Sequence, residues 1–357
     1  MGVTLDHKMD LGPEPLPQIK VDRKIVAAVA VSSTLAGVVI SLLLMGRFSI
    51  AMTMLLSFIM YLISIYALTR KLEDAREASN KLMAGVVTGS FALIVFPLVS
   101  VLWTVVSKGA ARFDTMFFSE SLRNVLGDGG GGQHAIAGTL IVTGIAAVLS
   151  VPIGIMVAVY LVEYGRGPLA KAVTRMVDVM TGIPSIVAGL FAYALFVLFT
   201  GPGHRSGMAG GVALAVLMMP IVVRTSEEML RLVPNELREA SYALGVTKWR
   251  TIVKVVIPTA IAGILTGVTL AIARVVGETA PLLVTAGLAD SLHTDPFSGR
   301  MTTLATMAYY SYKTPGVPPQ ASYDRGWTAA LVLVLIVALL FAIARLLARV
   351  LKPKGLR

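Results

Sequence analysis

Eight stretches of this chain run for about 20 residues with almost no charge, the length a helix needs to cross a hydrocarbon layer roughly 30 Å thick. They lie near residues 25–45, 49–68, 82–106, 134–162, 176–199, 210–230, 258–287 and 326–350. A large soluble α-domain would carry polar outer faces on its helices, whereas Leu331 to Ala342 is apolar all round. With 56% hydrophobic and 14% charged residues among 357, the chain reads as an all-α polytopic membrane protein.

The first two stretches are separated only by Gly46 and Arg47. One helix covering both would be roughly twice the membrane thickness, so a tight transmembrane hairpin is expected. Residues 1–24 read as a polar, proline-containing cytoplasmic tail, and a cleavable signal peptide is not expected. Gly182-Ile183-Pro184-Ser185 in the fifth stretch and Met219-Pro220 in the sixth are expected to bend their helices.

The formal charge of +11 need not mean nucleic acid, because basic residues of membrane proteins gather in cytoplasmic loops. With the amino terminus inside, eight spans return the carboxyl terminus inside. The inner segments then hold Arg70, Lys71, Arg76 and Lys81; Arg166, Lys171 and Arg175; Arg231, Arg238, Lys248, Arg250 and Lys254; and Arg349, Lys352, Lys354 and Arg357. The outer segments hold fewer, including Arg47, Lys108, Arg112, Arg123, Arg205, Arg300, Lys313 and Arg325.

Enzyme chemistry finds no support. No cysteine is present, and His7, His134, His204 and His293 are scattered without metal-ligand spacing. The glycine tract from Asp128 to Gly132 is followed by Gln133 and His134, not the Gly-Lys-Ser/Thr that completes a phosphate-cradling loop, and reads as a flexible loop.

Between the sixth and seventh stretches lies a segment too polar to enter lipid. It contains Glu239-Ala240-Ser241, then Gly245 six positions after the glutamate, then Ile257-Pro258. This spacing resembles the EAA signature of ABC importer permeases, with Ser241 for the second alanine and Ile257 for leucine. Asn235 is expected to cap a short helix, and Gly245 to end it through a left-handed turn. Ala240 and Ala243 are small enough for a partner surface to approach, and Trp249, Ile252 and Val256 suit a second helix leading into the membrane.

The seventh stretch carries Arg274 and Glu278, four apart and expected on one helical face. Either charge at mid-bilayer costs about 2.5–3.5 kcal/mol on insertion scales, so such groups usually face a bundle interior or a watery path. Two readings stand side by side: a translocation path, or an ion pair holding helices together. Arg224, about one and a half turns from the inner end of the sixth stretch, also has two readings. It either snorkels to the cytoplasm or lies near a path, where guanidinium forks suit phosphate-like oxyanions.

These segments together resemble the A-type permease family of phosphate-specific ABC importers, over roughly residues 82–357. The resemblance rests on Ala273-Arg274 with Gly277-Glu278-Thr279-Ala280-Pro281-Leu282-Leu283, on the nine residues Gly182 to Leu190, on Arg224-Thr225 with Glu227 to Leu230, and on the segment Met301 to Tyr310. It implies a type I importer permease fold with a six-helix core and a coupling loop at 234–258, to which the hairpin and linker at 25–81 are additional. It further implies a bacterial cell membrane subunit that is not itself an enzyme. Its partners would be a C-type permease, two ATPase subunits that bind ATP and Mg, an extracytoplasmic phosphate-binding protein and membrane lipid. Arg224, Arg274 and Glu278 would serve the substrate pathway, and Glu239, Ala240, Gly245 and Pro258 the coupling to the ATPase. The same class of importer for sulfate or molybdate is the alternative.

Overall fold

The computed structural model describes residues 21–46 and 48–351, so most of the N-terminal tail, Arg47, Lys352, Lys354 and Arg357 lie outside the described residues. The described residues are helical with no β-strand, and they divide into two compact units between Leu102 and Trp103.

The first unit holds the expected hairpin. Helix α1 (Arg23–Met45) ends at Gly46 in a left-handed conformation (φ 63°), and α2 (Ile50–Leu72) starts at Ser49, whose hydroxyl accepts the Met52 amide. The two helices pack closely: a Cβ on Gly37 would sit 2.2 Å from the Ser57 hydroxyl. Helix α3 (Ala75–Gly109) follows after two residues, capped by Asp74, which accepts the Arg76 and Glu77 amides. Glu73 accepts from the Val21 amide and from Lys81, contacts that hold its carboxyl below the usual carboxylate range.

The second unit begins with the last turns of α3, continues through the short α4 (Thr115–Ser119) and is centred on α5 (Gln133–Val159) and α8 (Gly207–Arg231). Their approach is close because glycines face the neighbour: a Cβ on Gly211 would lie 2.5 Å from the Ile145 side chain. Val142, Ala146, Leu214, Met218 and Val222 form the dry centre of this pair. Hydroxyls within it bond their own helix, as Thr139 does to the Ala135 carbonyl and Ser150 to that of Ala146. Pro220 sits inside α8 without ending it.

The fifth stretch departs from expectation. Its Gly182-Ile183-Pro184 segment is a break, with α6 (Pro168–Thr181) and α7 (Ser185–Thr200) meeting at 109°. Pro184 precedes α7 as its N-cap, so the proline starts a new helix and does not kink an old one. Residues 176–181 belong to the amphipathic α6, which carries Lys171, Arg175 and Asp178. Among the described residues seven helices are long and apolar enough to span, and an eighth is counted only if α6 and α7 form one broken span.

The 234–258 segment folds as α9 (Asn235–Ala243), α10 (Lys248–Thr251) and a π-helical stretch Ile252–Val256, which continues into α11 (Ile257–Val276). The seventh stretch is also interrupted: α11 stops at Val276, and α12 (Ala280–Thr285) begins after Gly277–Thr279 with Pro281 in its first turn. Helix α13 (Leu304–Lys313), started by a Thr303–Thr306 capping box, packs against α5 and α14 (Pro319–Leu351).

The glycine tract is more ordered than a flexible loop. Arg325 donates to the carbonyls of Gly127 and Gly129, each at 2.8 Å, and Arg112 donates to that of Gly130 at 3.0 Å. The loop presents carbonyls to arginines, the opposite polarity to a loop that cradles phosphate with amides.

Candidate functional site

Three regions carry the residues singled out from sequence, and the structure keeps them apart. The first is the 234–258 helix-turn-helix. Gly245 has φ 75°, and the amides of Gly245 and Val246 bond the carbonyls of Tyr242 and Ser241, closing α9 with a Schellman turn. Asn235 does not cap this helix: Pro234 holds the cap position, and the Asn235 side chain accepts from Arg238 at 3.2 Å. Glu239, Ala240, Ala243 and Gly245 are all exposed. Beside them Leu244 is 83% exposed and Trp249 63%, an apolar surface with no cover among the described residues. Pro258 lies in the first turn of α11.

Buried polar contacts hold this element rigid. Ser241, the residue replacing the second alanine of the signature, hydrogen-bonds Thr251 at 2.8 Å, both side chains buried, and so ties α9 to α10. Arg238 reaches back to Glu163, beyond the end of α5, with Nε and Nη2 donating to one carboxylate oxygen at 3.0 and 2.8 Å. It also donates to the carbonyls of Leu230 and Val233. Lys248 donates to the Glu163 carbonyl and stands 4.6 Å from the Tyr164 ring centre. Residues 160–164, like 252–256, are π-helical, so both chain segments meeting here are wound with an extra residue.

The second region surrounds Arg224. Its guanidinium donates to Asp178 and the Thr174 carbonyl on α6, and to Glu227 at 2.8 Å on its own helix. Glu227, 8% exposed, also takes Arg231 at 2.6 Å. Arg224 is therefore spoken for by two carboxylates and serves to bind α6 to α8.

The third region is the break in the seventh stretch. Buried positions Ile264, Gly267, Ala271 and Val275 place one face of α11 in the bundle, and Thr266, Leu270, Arg274 and Gly277 form an exposed stripe beside it. Arg274 makes no hydrogen bond or ion pair among the described residues, whereas the expected Arg274–Glu278 pairing is absent. The reason is local: α11 ends before Glu278, so the two no longer share a helical face, and Glu278 is half-buried within the break. Nor do Arg224 and Arg274 meet. Gly267 packs on Thr225, seven residues before Arg274, which puts the two arginines about 10 Å apart along the bundle. Arg224, moreover, turns away toward α6.

Glu163, Asp178 and Thr251 did not stand out in the sequence, and Glu227 did so only as part of the segment that follows Arg224. Acidic side chains at the edges of apolar stretches are the signal that marks three of them, since a carboxylate there demands a cationic partner.

Apolar spans interrupted twice beside prolines, with a braced and exposed helix-turn-helix between two of them, mark the described residues as those of a polytopic membrane protein. Residues 150–355 match the binding-protein-dependent transport system inner membrane component family, and the chain belongs to that family. It is 47% identical over 272 residues to phosphate transport system permease protein PstA 1 of Mycobacterium tuberculosis, covering 75% of this chain and 88% of that protein. To phosphate transport system permease protein PstA of Yersinia pestis it is 39% identical over 280 residues, covering 78% and 92%. A chain of the inward-facing MetNI methionine ABC transporter shares the fold, with TM-score 0.51 and 23% identity over 61% of this chain and 95% of that one. The protein is thus a multi-pass transport component with the type I importer permease fold, and not an enzyme.

Proposed function

We propose that this chain is one of two permease subunits of an ATP-driven importer of inorganic phosphate, paired with a related C-type subunit, two ATPase subunits and an extracytoplasmic binding protein. ATP and Mg are handled by the ATPase partner, and this chain binds no cofactor. Both termini face the cytoplasm, in keeping with the basic residues of the 234–258 segment. The exposed face around Glu239, Ala240, Leu244 and Trp249 seats in the ATPase, with Gly245 and Pro258 setting the angles at which α9 and α11 leave it.

The observation that carries the substrate reading is Arg274. It is a guanidinium without a partner among the described residues, on the exposed stripe of a span, beside a helix break. Unwound segments between half-helices are where transporters commonly place their sites. An oxyanion meets there a planar donor fork that no carboxylate occupies. Relatives named as phosphate permeases share this chain over three quarters of its length. Glu278 sits at the far side of the same break, and Arg224 acts as a helix tether at the cytoplasmic side of the path.

The test is uptake into proteoliposomes holding the whole complex. ATP-dependent accumulation of labelled phosphate that excess sulfate does not suppress supports the reading. Preferential accumulation of sulfate or molybdate assigns the alternative oxyanion.

A further inference from the structure

Helix α7 is apolar and 16 residues long, about 24 Å of helix, and α6 turns away from its start at 109°. A helix set nearly square to a span lies along the membrane face and not through it. Its neighbours place that face at the end of the bundle that carries the 234–258 segment. Helix α6 follows closely on Glu163, which Arg238 binds, and its Asp178 is tied to Arg224 in the later turns of α8. From the phosphate-importer reading the inference takes only that this end is cytoplasmic.

Three stripes run along α6 at helical spacing. Ala170, Val173 and Val177 pack into the bundle, in one cluster with Leu161 and Val223. Leu169, Ala172, Met176 and Val179 form a second, apolar stripe that nothing among the described residues covers: Leu169 is 62% exposed, Met176 67% and Val179 69%. Lys171 and Arg175, one turn apart, form the third, and Arg166 stands just before the helix. These three side chains are exposed, and their charged groups make no hydrogen bond or ion pair among the described residues. Asp178, the one carboxylate of α6, is taken by Arg224, so the helix does not neutralise its own cations. An uncovered apolar stripe beside an unpaired cationic one, on a helix lying in the membrane face, is the pattern of an interfacial helix.

We propose that α6 is a binding site for an anionic phospholipid of the cytoplasmic leaflet. The headgroup phosphate meets Lys171 and Arg175 and supplies their missing counter-charge, while the acyl chains lie against Leu169, Met176 and Val179. Arg175 offers a donor fork to two phosphate oxygens and Lys171 a point charge. A zwitterionic lipid covers the apolar stripe equally well but carries its own cation beside its phosphate, so the basic residues select for net negative headgroups. A second protein subunit on the same face is the rival occupant. The charge pattern favours lipid: a row of cations running beside an apolar row along the whole helix matches a headgroup layer over an acyl layer. The lipid grips α6 from outside and Arg224 grips it from within, so that the start of α7 is fixed between them.

The experiment uses the assembled permease–ATPase complex in nanodiscs of neutral lipid with a trace of photoactivatable phosphatidylglycerol or phosphatidylcholine, and maps the crosslinks by peptide mass spectrometry. Crosslinking to residues 166–181 is expected to favour phosphatidylglycerol by about thirtyfold, the scale of two basic residues at a membrane surface. The double variant Lys171→Gln with Arg175→Gln is expected to lose that preference, and because both side chains are exposed it still assembles. A second exposed basic pair, Arg345 and Arg349 on α14, serves as the internal comparison, and labelling there is expected not to change in the double variant. Equal labelling of α6 by the two lipids overturns the proposal, as does a preference that survives the double variant. Excess orthophosphate is expected not to compete; competition assigns the cations to free phosphate and overturns the lipid site. Met176→Asp is expected to lower labelling while the second permease subunit stays in the complex, whereas loss of that subunit assigns the stripe to a protein contact and overturns the proposal. ATP-driven uptake by the wild-type complex is read separately: sulfate-preferring uptake sinks the importer reading and leaves the lipid site standing.

Discussion

Arg238 of α9 and Glu163 at the end of α5 form an ion pair through two guanidinium nitrogens, with side chains only 12% and 5% exposed. The residues are 75 positions apart, and their bond joins the projecting helix-turn-helix directly to one of the two central helices of the bundle. Pushing α9 therefore pushes α5, without relying on the covalent route through α11 alone. The two carbonyls of Leu230 and Val233 that Arg238 also binds fix the exit of α8 to the same point.

Removing one partner leaves a buried charge uncompensated, which in buried pairs costs about 3–5 kcal/mol. Glu163→Gln is expected to lower the melting temperature of the complex and to loosen coupling, so that ATP is hydrolysed with less uptake per turnover. The ratio of phosphate transported to ATP consumed measures this. A ratio equal to that of the wild type would show that the pair is structural only.

Within the projecting element, Ser241 and Thr251 share a buried hydrogen bond that neither makes elsewhere with comparable geometry; Thr251 reaches the Thr247 carbonyl only at 3.3 Å. Ser241→Ala is expected to destabilise by about 1–2 kcal/mol, because the Thr251 hydroxyl is left poorly paired. The double variant Ser241→Ala with Thr251→Ala should cost less than the sum of the two singles. A double-mutant cycle on thermal unfolding checks this, and strict additivity would mean that the hydroxyls do not act as a pair.

Much of this element was legible before any coordinates. The interval from Glu239 to Gly245 to Pro258 already implied a short helix, a left-handed turn and a second helix, since these are local consequences of residue type. The partners of Arg238 and Arg224 were not legible, because Glu163 and Asp178 come from distant segments brought close only by packing. The two interrupted spans were misread for a common reason. Apolar content averaged across Gly182–Pro184 and Gly277–Pro281 stays high, yet each proline starts a new helix, and the preceding residues close the old one. That is why Arg274 and Glu278 are not paired.

Gly245 has φ 75° and open space where a Cβ would stand. Substitution there meets no steric wall, so its whole cost is the left-handed backbone, roughly 1–2 kcal/mol for an L-residue and more for a β-branched one. Gly245→Val is expected to insert and assemble but lose most ATP-coupled uptake, and Gly245→Asn, which tolerates this conformation, to retain more. Equal uptake by both variants and the wild type would remove Gly245 from the coupling role.

Arg224 and Arg274 differ in what they leave behind when neutralised. Arg224→Gln strands Asp178 and half of the charge on Glu227, which retains only Arg231, so α6 keeps only its apolar packing against α8. A fall in melting temperature is expected, with uptake reduced in proportion to the complex that survives. Arg274→Gln removes a side chain with no partner among the described residues, and little change in stability is expected. Uptake, in contrast, should fall by at least an order of magnitude if the guanidinium meets the anion in the path, since a hydrogen bond to a charged group is worth about 1.5–3 kcal/mol. Melting and uptake measured on the same preparations separate the two roles. A destabilised Arg274→Gln with normal uptake per assembled complex would make that arginine a packing residue and move the path elsewhere.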